Sequence, residues 1–547
     1  LLKEEFEKWE TDVLIVGGGS AGLRAALAAR ETGARVLVVN RGGKTYGGAT
    51  SYLDKLIEVT GLAVALNKED SDLYYKELYD FGMKVNSREL VRTFTDNSEK
   101  ELRFLESIGV EFERQGNEYV WMQIPSHSRP RVVKGMSDFG TEILTRLVKA
   151  CEEKGVQFLA HTGIYEIIKD SSGHPRWALG IHKTQKCTQP VQIRFSSVII
   201  ATGGFGNLFS YATNPQGNAS GMAIGLDLGA ALTNLEFMHI LPLFVSPIRG
   251  FYMISALLSQ GKILNTAKEP FSSGWDHSSQ EPDTVTQGNI TFEICKWIEK
   301  QQEMGKTTSD GGVYWYGTHL IDVMKHRIPR SLEMLKARNL DLTSQPAIIS
   351  SGCHQALGGI AINPQGETGV AGLFACGECA GGFQGAQRMM GTGVMDALVF
   401  GSRAGRAAAE AIGQPGTKHW VVMSEDVNRT PELTCDKGFR QLHASMDRIL
   451  VTKNKEKLRR AQMEVESLQK SLEHYPLNAI PYKDRLRYSE LKHAVSIAQA
   501  FIASSQAREE SRGSFVRSDF PDQSQHFDKQ SFVHRIQPDQ FQVAFHS

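Results

Sequence analysis

Apolar residues run unbroken from Val13 to Val16, stop at Gly17-Gly18-Gly19-Ser20-Ala21-Gly22, and resume as an alanine-rich stretch to Glu31. Thr11 to Val16 predicts a buried strand, the alanine-rich stretch a helix that Gly33 closes, and Arg35 to Val39 a second strand. Together they form one strand-turn-helix-strand unit of a parallel sheet. Two further apolar runs, Val198 to Ala201 and Gly372 to Ala375, each lead into a glycine turn, Thr202-Gly203-Gly204 and Gly377-Glu378. At such turns a ligand can approach the backbone closely. Between about Pro242 and Gln345 the periodicity becomes mixed, which predicts an inserted domain, and beyond Gly416 long charged helical patterns follow, such as Lys453 to Leu472 and Tyr488 to Ser505. A polar tail is expected from Phe520.

The expected fold class is therefore α/β. A Rossmann-like nucleotide-binding domain spans 1–241 and 346–415, an inserted α+β domain spans 242–345, and a helical C-terminal domain with its tail spans 416–547. A chain of 547 residues is long enough for several cores. Its 61 basic and 61 acidic residues leave no net field to recruit nucleic acid. No apolar run reaches the ~20 residues of a membrane span, and the start has no signal-peptide pattern, so the chain reads as cytoplasmic. It opens on Leu, as a trimmed product would. The seven cysteines are odd in number and scattered, which suits reduced thiols.

In the turn from Gly17 to Gly22 the first glycine bends the chain and the second lets the backbone near a pyrophosphate. The third packs helix on strand while the helix N-terminus supplies positive dipole. Asn40 ends the second strand, where an acidic residue commonly holds ribose hydroxyls; its amide keeps an acceptor without the charge. This fingerprint serves NAD as well as FAD. Further motifs are Ala201-Thr202-Gly203-Gly204, Gly217-Asn218-Ala219-Ser220-Gly221-Met222, Leu235-Glu236-Phe237, His354-Gln355-Ala356-Leu357-Gly358-Gly359, Gly385-Ala386-Gln387-Arg388, Asp396-Ala397-Leu398-Val399-Phe400-Gly401 and Arg508-Glu509-Glu510-Ser511-Arg512-Gly513. In this order they resemble the flavoprotein subunits of succinate dehydrogenase and fumarate reductase, whose relatives include L-aspartate oxidase and adenylylsulfate reductase.

The resemblance implies FAD in an extended pose. It places the cofactor against Gly17, Gly19, Ser20, Ala21, Gly22, Asn40 and Arg41, against Gly48, Ala49 and Thr50, and against Ala201, Thr202 and Gly203. Gly377 and Glu378 fall near the ribityl chain, and the helix opening at Thr392, Gly393 and Val394 faces the flavin's pyrimidine edge. Substrate would lie between the flavin and the inserted, capping domain, its carboxylate held by Arg388 and His354. By residue type alone, Arg388 also suits an internal salt bridge and His354 a hydrogen-bonded core position.

Departures from the family pattern matter as much. Membrane-bound succinate dehydrogenases attach flavin through a His after the second strand; Lys44 to Thr50 contains none, so FAD is expected to be noncovalent. The family's Gln-x-His-Pro-Thr reads His239-Ile240-Leu241-Pro242-Leu243, so His239 replaces the lost His only if the segment is extended. Leu241 and Leu243 are expected to face the pocket and leave the substrate's far end uncharged. Gln287 stands at the position of the family's proton-donating Arg, and an amide has no such proton to give. Fumarate and succinate are therefore disfavoured as substrates.

The expected activity is hydride transfer between flavin N5 and a carbon beside a carboxylate, with C–N oxidation or sulfur-oxyanion reduction as alternatives. Another alternative is an electron-transfer subunit that docks an iron–sulfur partner through Lys453, Lys455, Lys457, Arg459 and Arg460 of the helical domain. Oligomerisation stays open. Cys376-x-x-Cys379 is read as coincident with the flavin motif, and no metal site is expected. His277, His319 and His326 are read as surface residues, and Tyr314-Trp315-Tyr316 as core more readily than as a substrate cover.

Overall fold

The computed structural model describes residues 6–43, 48–51, 61–124, 126–136, 139–184, 187–246, 248, 258, 260–271, 284–327, 329–412, 420 and 434–546. Val13–Val16 (β1) is followed by helix Ser20–Glu31 (α1) and Val36–Val39 (β2). Helix Arg88–Ser107 (α2), Gln157–Leu159 (β3) and Ser197–Ile200 (β4) come next. The long strand Met238–Ser246 (β5) enters the inserted region, which contains helix Thr284–Glu303 (α3), and Ala347–Ala356 (β6) leaves it. Leu373–Ala375 (β7) and helix Gly393–Glu410 (α4) complete the nucleotide-binding part. Helices Cys435–Asp447 (α5), Lys455–Glu473 (α6) and Tyr482–Ala507 (α7) then lead to a hairpin of Gln530–Gln537 (β8) and Gln540–His546 (β9).

The central sheet has the order β7-β4-β1-β2-β3, and every neighbouring pair in it is parallel. Because α1 and α4 cover one face and the antiparallel strands of 162–194 with the short helix Ser220–Asp227 cover the other, β1, β2 and β4 are buried at every residue, which is why they appear in sequence as continuous apolar runs rather than alternating ones. β5 and β6 pair antiparallel and form, with Val313–Tyr316 and Lys262–Leu264, the sheet of the inserted domain. Trp315 is fully buried in that domain's core and donates Nε1–H to the Leu258 carbonyl at 3.2 Å. The aromatic cluster is thus anchored as core, with Tyr316 partly exposed.

Helices α1 and α4 lie against each other over most of their length. A Cβ added at Gly401 would come 2.6 Å from the Ala21 carbonyl oxygen, and one at Gly405 would come 2.1 Å from that of Ala25. The four-residue spacing on both helices lets backbone touch backbone along one face. Arg24 in α1 is buried and pairs with Glu101 of α2 at 2.6 Å, fixing the other side of α1.

The C-terminal segment corrects the expectation of a polar tail from Phe520. β8 pairs with β9 and also with Leu232–Thr233, extending a sheet of the nucleotide-binding part. Alternation of buried Ser531 and Val533 with outward residues, diluted by polar composition, is a strand pattern that reads as a tail. The basic face expected on α6 is also divided. Lys453 is fully buried, its ammonium pushed down to about 7 by burial despite Glu299, and Lys457 is spent on Glu299 (3.0 Å) and Glu303 (2.8 Å) of α3. Arg459 and Arg460 pair with Glu456 and Glu464 along α6 itself.

Gly405→Val is expected to lower the unfolding free energy by about 3 kcal/mol, because the Ala25 backbone cannot yield as a side chain would. The exposed neighbour substitution Arg406→Ala should change it by under about 0.5 kcal/mol. Urea denaturation midpoints of the two variants measure the difference.

Candidate active site

The turn after β1 is built around three glycines with distinct duties. Gly17 takes φ +116°, and a Cβ there would lie 2.2 Å from the Ala201 carbonyl oxygen; a Cβ at Gly22 would lie 1.9 Å from that of Gly17. Both are needed for the fold itself. At Gly19 a Cβ would meet nothing within 4 Å, so this glycine keeps open the space in front of the α1 N-terminus. Gly19 caps that helix without a side-chain hydrogen bond, and the first turn carries no acidic residue. Exposed amide donors and positive dipole without an internal anion fit a pyrophosphate.

The surrounding positions support that cradle. Asn40 accepts from Gly18 N–H at 3.4 Å through Oδ1 and donates to the Gly43 carbonyl at 2.6 Å, so its amide braces the turn it was expected to accompany. Ser20 and Thr50 hydroxyls lie 2.9 Å apart, which holds Gly48, Ala49 and Thr50 over the turn. Arg41 is committed elsewhere: its guanidinium pairs with Glu490 of α7 at 2.9 Å. Beyond β4, Gly203 takes φ +78° and Thr202 Oγ1 is buried with no hydrogen-bond partner among the described residues. Beyond β7, Gly377 takes φ +71°, and Glu378 accepts from Ala356 N–H at 3.0 Å. Burial raises the Glu378 carboxyl, only partly offset by that bond and by Arg388.

The second half of the site gathers residues far apart in sequence. β5 and β6 set His239 opposite Gln355, and the bridge between Ala212 and Cys353 brings Thr213 alongside. Thr213 Oγ1 lies 2.8 Å from His354 Nδ1, while His354 Nε2 lies 3.5 Å from Arg388 Nη1. The His239 ring stands edge-on to His354 with centroids 5.1 Å apart. Arg388 reaches the start of α4, its Nη2 2.9 Å from where a Gly393 Cβ would sit, and Thr392 is fully buried at that helix's N-cap. Desolvation, with the Arg388 charge adding to it, pushes His239 down to about 3. Desolvation, His239 and Arg388 hold His354 well below its ordinary value. Asp396, in the first turn of α4, is pushed up to about 7 by burial, against the pull of Arg388. At neutral pH both imidazoles are uncharged and Arg388 carries the positive charge of the trio.

Sequence reasoning named Arg388, His354 and His239, and the fold brings them together. It gave no role to Thr213 or Asp396; Asp396 opens the motif that runs to Gly401, one helical turn after Thr392, a legible place for a helix-start acid. Leu241 is a correction. It packs with Phe244, Val245 and Ile294 in the inserted domain's core, because register shifts follow His239 and Leu241 and break the alternation that would have aimed it at the site. Gln287 lies in α3 and Leu243 in β5, but their side chains, like those of Lys44 to Gly47 and His277, fall outside the described residues, as does the side chain of His326. His319 is exposed and its Nε2 lies 3.0 Å from the Gln260 carbonyl oxygen. Cys376 and Cys379 are buried, both thiols raised by burial, Cys379 to about 11, and Cys379 donates to the Ile200 carbonyl at 3.1 Å. Among the described residues no group of three or more His, Cys, Asp or Glu is arranged to hold a metal ion, and no helix is long and apolar enough to cross a membrane.

Residues 12–394 match the FAD binding domain family, and residues 440–546 match the fumarate reductase flavoprotein C-terminal family. A fumarate reductase (CoM/CoB) subunit of Methanothermobacter marburgensis is 28% identical, over 98% of this chain and 99% of its own. The L-aspartate oxidase of Vibrio cholerae is 23% identical, over 94% of this chain and 96% of its own. In fold the chain is similar to the FrdA chain of E. coli quinol fumarate reductase, with a TM-score of 0.85 at 22% identity, covering 99% of this chain and 97% of that one.

The glycine geometry separates folding from cofactor retention. Gly19→Val should purify without flavin absorbance yet leave the unfolding free energy of the flavin-free protein unchanged within about 0.5 kcal/mol, whereas Gly17→Ala should lower that of the flavin-free protein as well. His239 gives a pH signature. Its folded value near 3 lies below the ordinary 6.5, so the unfolded chain binds the extra proton and stability contributed by the neutral ring is lost as pH falls from 6.5 toward 3. Over that window His239→Gln should show a shallower loss than the wild type in urea titrations, and above pH 7 the two curves should run parallel.

Proposed function

Because the chain belongs to the fumarate reductase flavoprotein family of FAD-dependent oxidoreductases, we propose that it moves hydride between bound FAD and a carbon beside a carboxylate, forming or saturating a C–C bond. Bound FAD supplies the two-electron carrier. Gly17, Gly19 and the α1 N-terminus would hold its pyrophosphate, and the α4 N-terminus at Thr392 and Gly393 would offer its dipole to the flavin. With Lys44 to Thr50 free of His, the cofactor is held noncovalently.

The observation that carries the reading is Arg388 set against two uncharged imidazoles. Its planar fork donates two parallel hydrogen bonds to a carboxylate, and the thread from Thr213 through His354 fixes the ring beside that anion. Holding the carboxylate sets the neighbouring carbon in line for transfer, which lowers the entropic part of the barrier. One cation in the trio suits one carboxylate. With Leu241 drawn into the inserted domain's core, the strand brings no second cation, which argues against fumarate and succinate. Gln287 cannot act as the acid, so the proton falls to another residue of the inserted domain.

A second reading, C–N oxidation, draws on the same neutral imidazoles, since an amine must lose its proton before oxidation and an uncharged His can take it. The Vibrio cholerae relative carries that activity in its name. A separate iron–sulfur protein as electron partner accords with the Methanothermobacter relative's name, which marks it as one part of a larger enzyme, and co-purification of such a protein checks it.

Under anaerobic conditions, oxidation of the dithionite-reduced protein by a panel of 2-enoates bearing one carboxylate should outpace oxidation by fumarate. Arg388→Gln should keep flavin absorbance and lose at least about 100-fold in kcat/KM, near 2.7 kcal/mol of transition-state stabilisation. Full activity in that variant, or fumarate as the best substrate, would refute the proposal. Hydrogen peroxide and ammonia released from an amino acid, with no enoate turnover, would select the second reading.

A further inference from the structure

Arg388 and the start of α4 are joined by the turn Met389-Met390-Gly391-Thr392, in which Gly391 takes φ +79°. The Arg388 side chain folds back over this turn, its Nη2 lying 2.9 Å from where a Gly393 Cβ would sit. The guanidinium's position therefore depends on the shape of the turn. The Met389 carbonyl accepts from the Thr392 hydroxyl at 2.8 Å and that of Gly391 from Ala63 N–H at 3.2 Å. The Met390 carbonyl lies 2.8 Å from His127 Nε2, and Met390 N–H donates to the Ser126 hydroxyl at 3.3 Å. Residue 390 is thus gripped at both backbone groups by Ser126 and His127, while its own side chain, 36% exposed, gives little anchorage.

What holds His127 is buried and charged. Arg131 Nη1 lies 3.4 Å from His127 Nδ1, and Arg131 itself, 1% exposed, pairs with Asp70 at 3.2 Å and Glu77 at 2.7 Å on the helix Lys68–Phe81. The Arg131 guanidinium lies over the Tyr74 ring, 4.4 Å from its centroid, and that ring meets the His127 ring at 5.8 Å. A guanidinium only donates, so Nδ1 is the accepting nitrogen. The one proton of the neutral ring then sits on Nε2, where it is donated to the Met390 carbonyl. Burial lowers the imidazole, only partly offset by that carbonyl, and the Arg131 charge lowers it further, so the neutral form persists. Ser126 takes φ +77°, uncommon for a residue with a Cβ, and this bend brings hydroxyl and imidazole to the same residue.

We propose that His127 is a positioning residue for substrate binding: by donating Nε2–H to the Met390 carbonyl it fixes the turn that carries Arg388, and so sets where the carboxylate is received. The inference rests on the reading of Arg388 as the carboxylate's partner. What the geometry requires at this place is a donor of the right reach, since Nδ1 serves only to receive Arg131. A carboxylate contact made alike in the ground and transition states shows itself in KM, so the loss of His127 falls chiefly there.

Crotonate, an enoate with one carboxylate, binds the oxidised flavoprotein without turnover, and its binding is followed by the change it causes in flavin absorbance. His127→Asn, whose amide is too short for the Met390 carbonyl, should weaken binding at least about tenfold, as expected when a buried carbonyl loses its donor. In steady-state crotonate reduction it should raise KM by a similar factor, with kcat within about threefold of the wild type. His127→Gln, whose amide N–H reaches as far as Nε2, should recover most of both losses. Ser126→Ala, which frees the Met390 N–H alone, should weaken binding about threefold, and if His127→Asn sheds its flavin this variant decides. Unchanged crotonate binding in His127→Asn, or in Ser126→Ala where that variant decides, overturns the proposal. So does a His127→Gln protein as impaired as His127→Asn. Arg388→Gln in the same titration separates the two levels: binding that it leaves intact refutes the reading of Arg388 itself, whereas binding lost there but kept in His127→Asn refutes only the role of His127.

Discussion

The contact between α1 and α4 is the constraint on which the cofactor site depends. Ala21 lies level with Gly401 and Ala25 with Gly405, so the helices run in the same direction with their backbones touching. Level pairing at Ala21 and Gly401 sets the start of α4 seven residues ahead of the start of α1, about 10 Å at 1.5 Å per residue. Two positive helix ends therefore face the same way, one set back from the other along the common axis. A bulkier residue at either glycine would change the spacing between the two ends as well as the packing.

A second set of interactions holds the strand that carries His239. Glu236, two residues before β5, is fully buried and pairs with Arg508 at 2.6 Å, and Arg508 shares Glu510 with Arg512. Ser504 and Ser531 hydroxyls also bond Glu236, so the acid is matched by donors from α7 and from β8. A buried ion network of this kind adds little net stability over apolar packing but penalises any arrangement that breaks it. Its effect here is positional: the base of β5 is tied to the C-terminal domain, and His239 is thereby fixed relative to His354.

Much of this was legible in sequence because the relevant signals are local. A fully buried parallel strand must be apolar throughout, and a turn at φ +116° must be glycine, so β1 and Gly17 announce themselves. Arg388 and His354 were reached through motif resemblance, since nothing local distinguishes them from an ion pair or a core histidine. What stayed hidden depends on register and on partners distant in sequence. Leu241 was misplaced because a bulge leaves no mark in the residue pattern. Lys453 and Lys457 looked like a solvated basic face because their acidic partners lie on α3, more than 150 residues upstream. β8 looked like a tail because its alternation is carried by Ser531 as much as by Val533.

The pairing of β8 with Leu232–Thr233 also bears on the order in which the molecule is made. During synthesis Leu232 and Thr233 leave the ribosome some 300 residues before their partners Val533 and Phe532, at least ~15 s earlier at 5–20 residues per second. Once Gly359–Ala361 has been made, its sheet with Leu232–Thr233 presents an open edge until β8 follows, and Glu236 waits for Arg508. Chains halted before Ser504 and Arg508 would carry the nucleotide fold with an unpaired acid at its centre, a state suited to capture by a chaperone or removal by a protease.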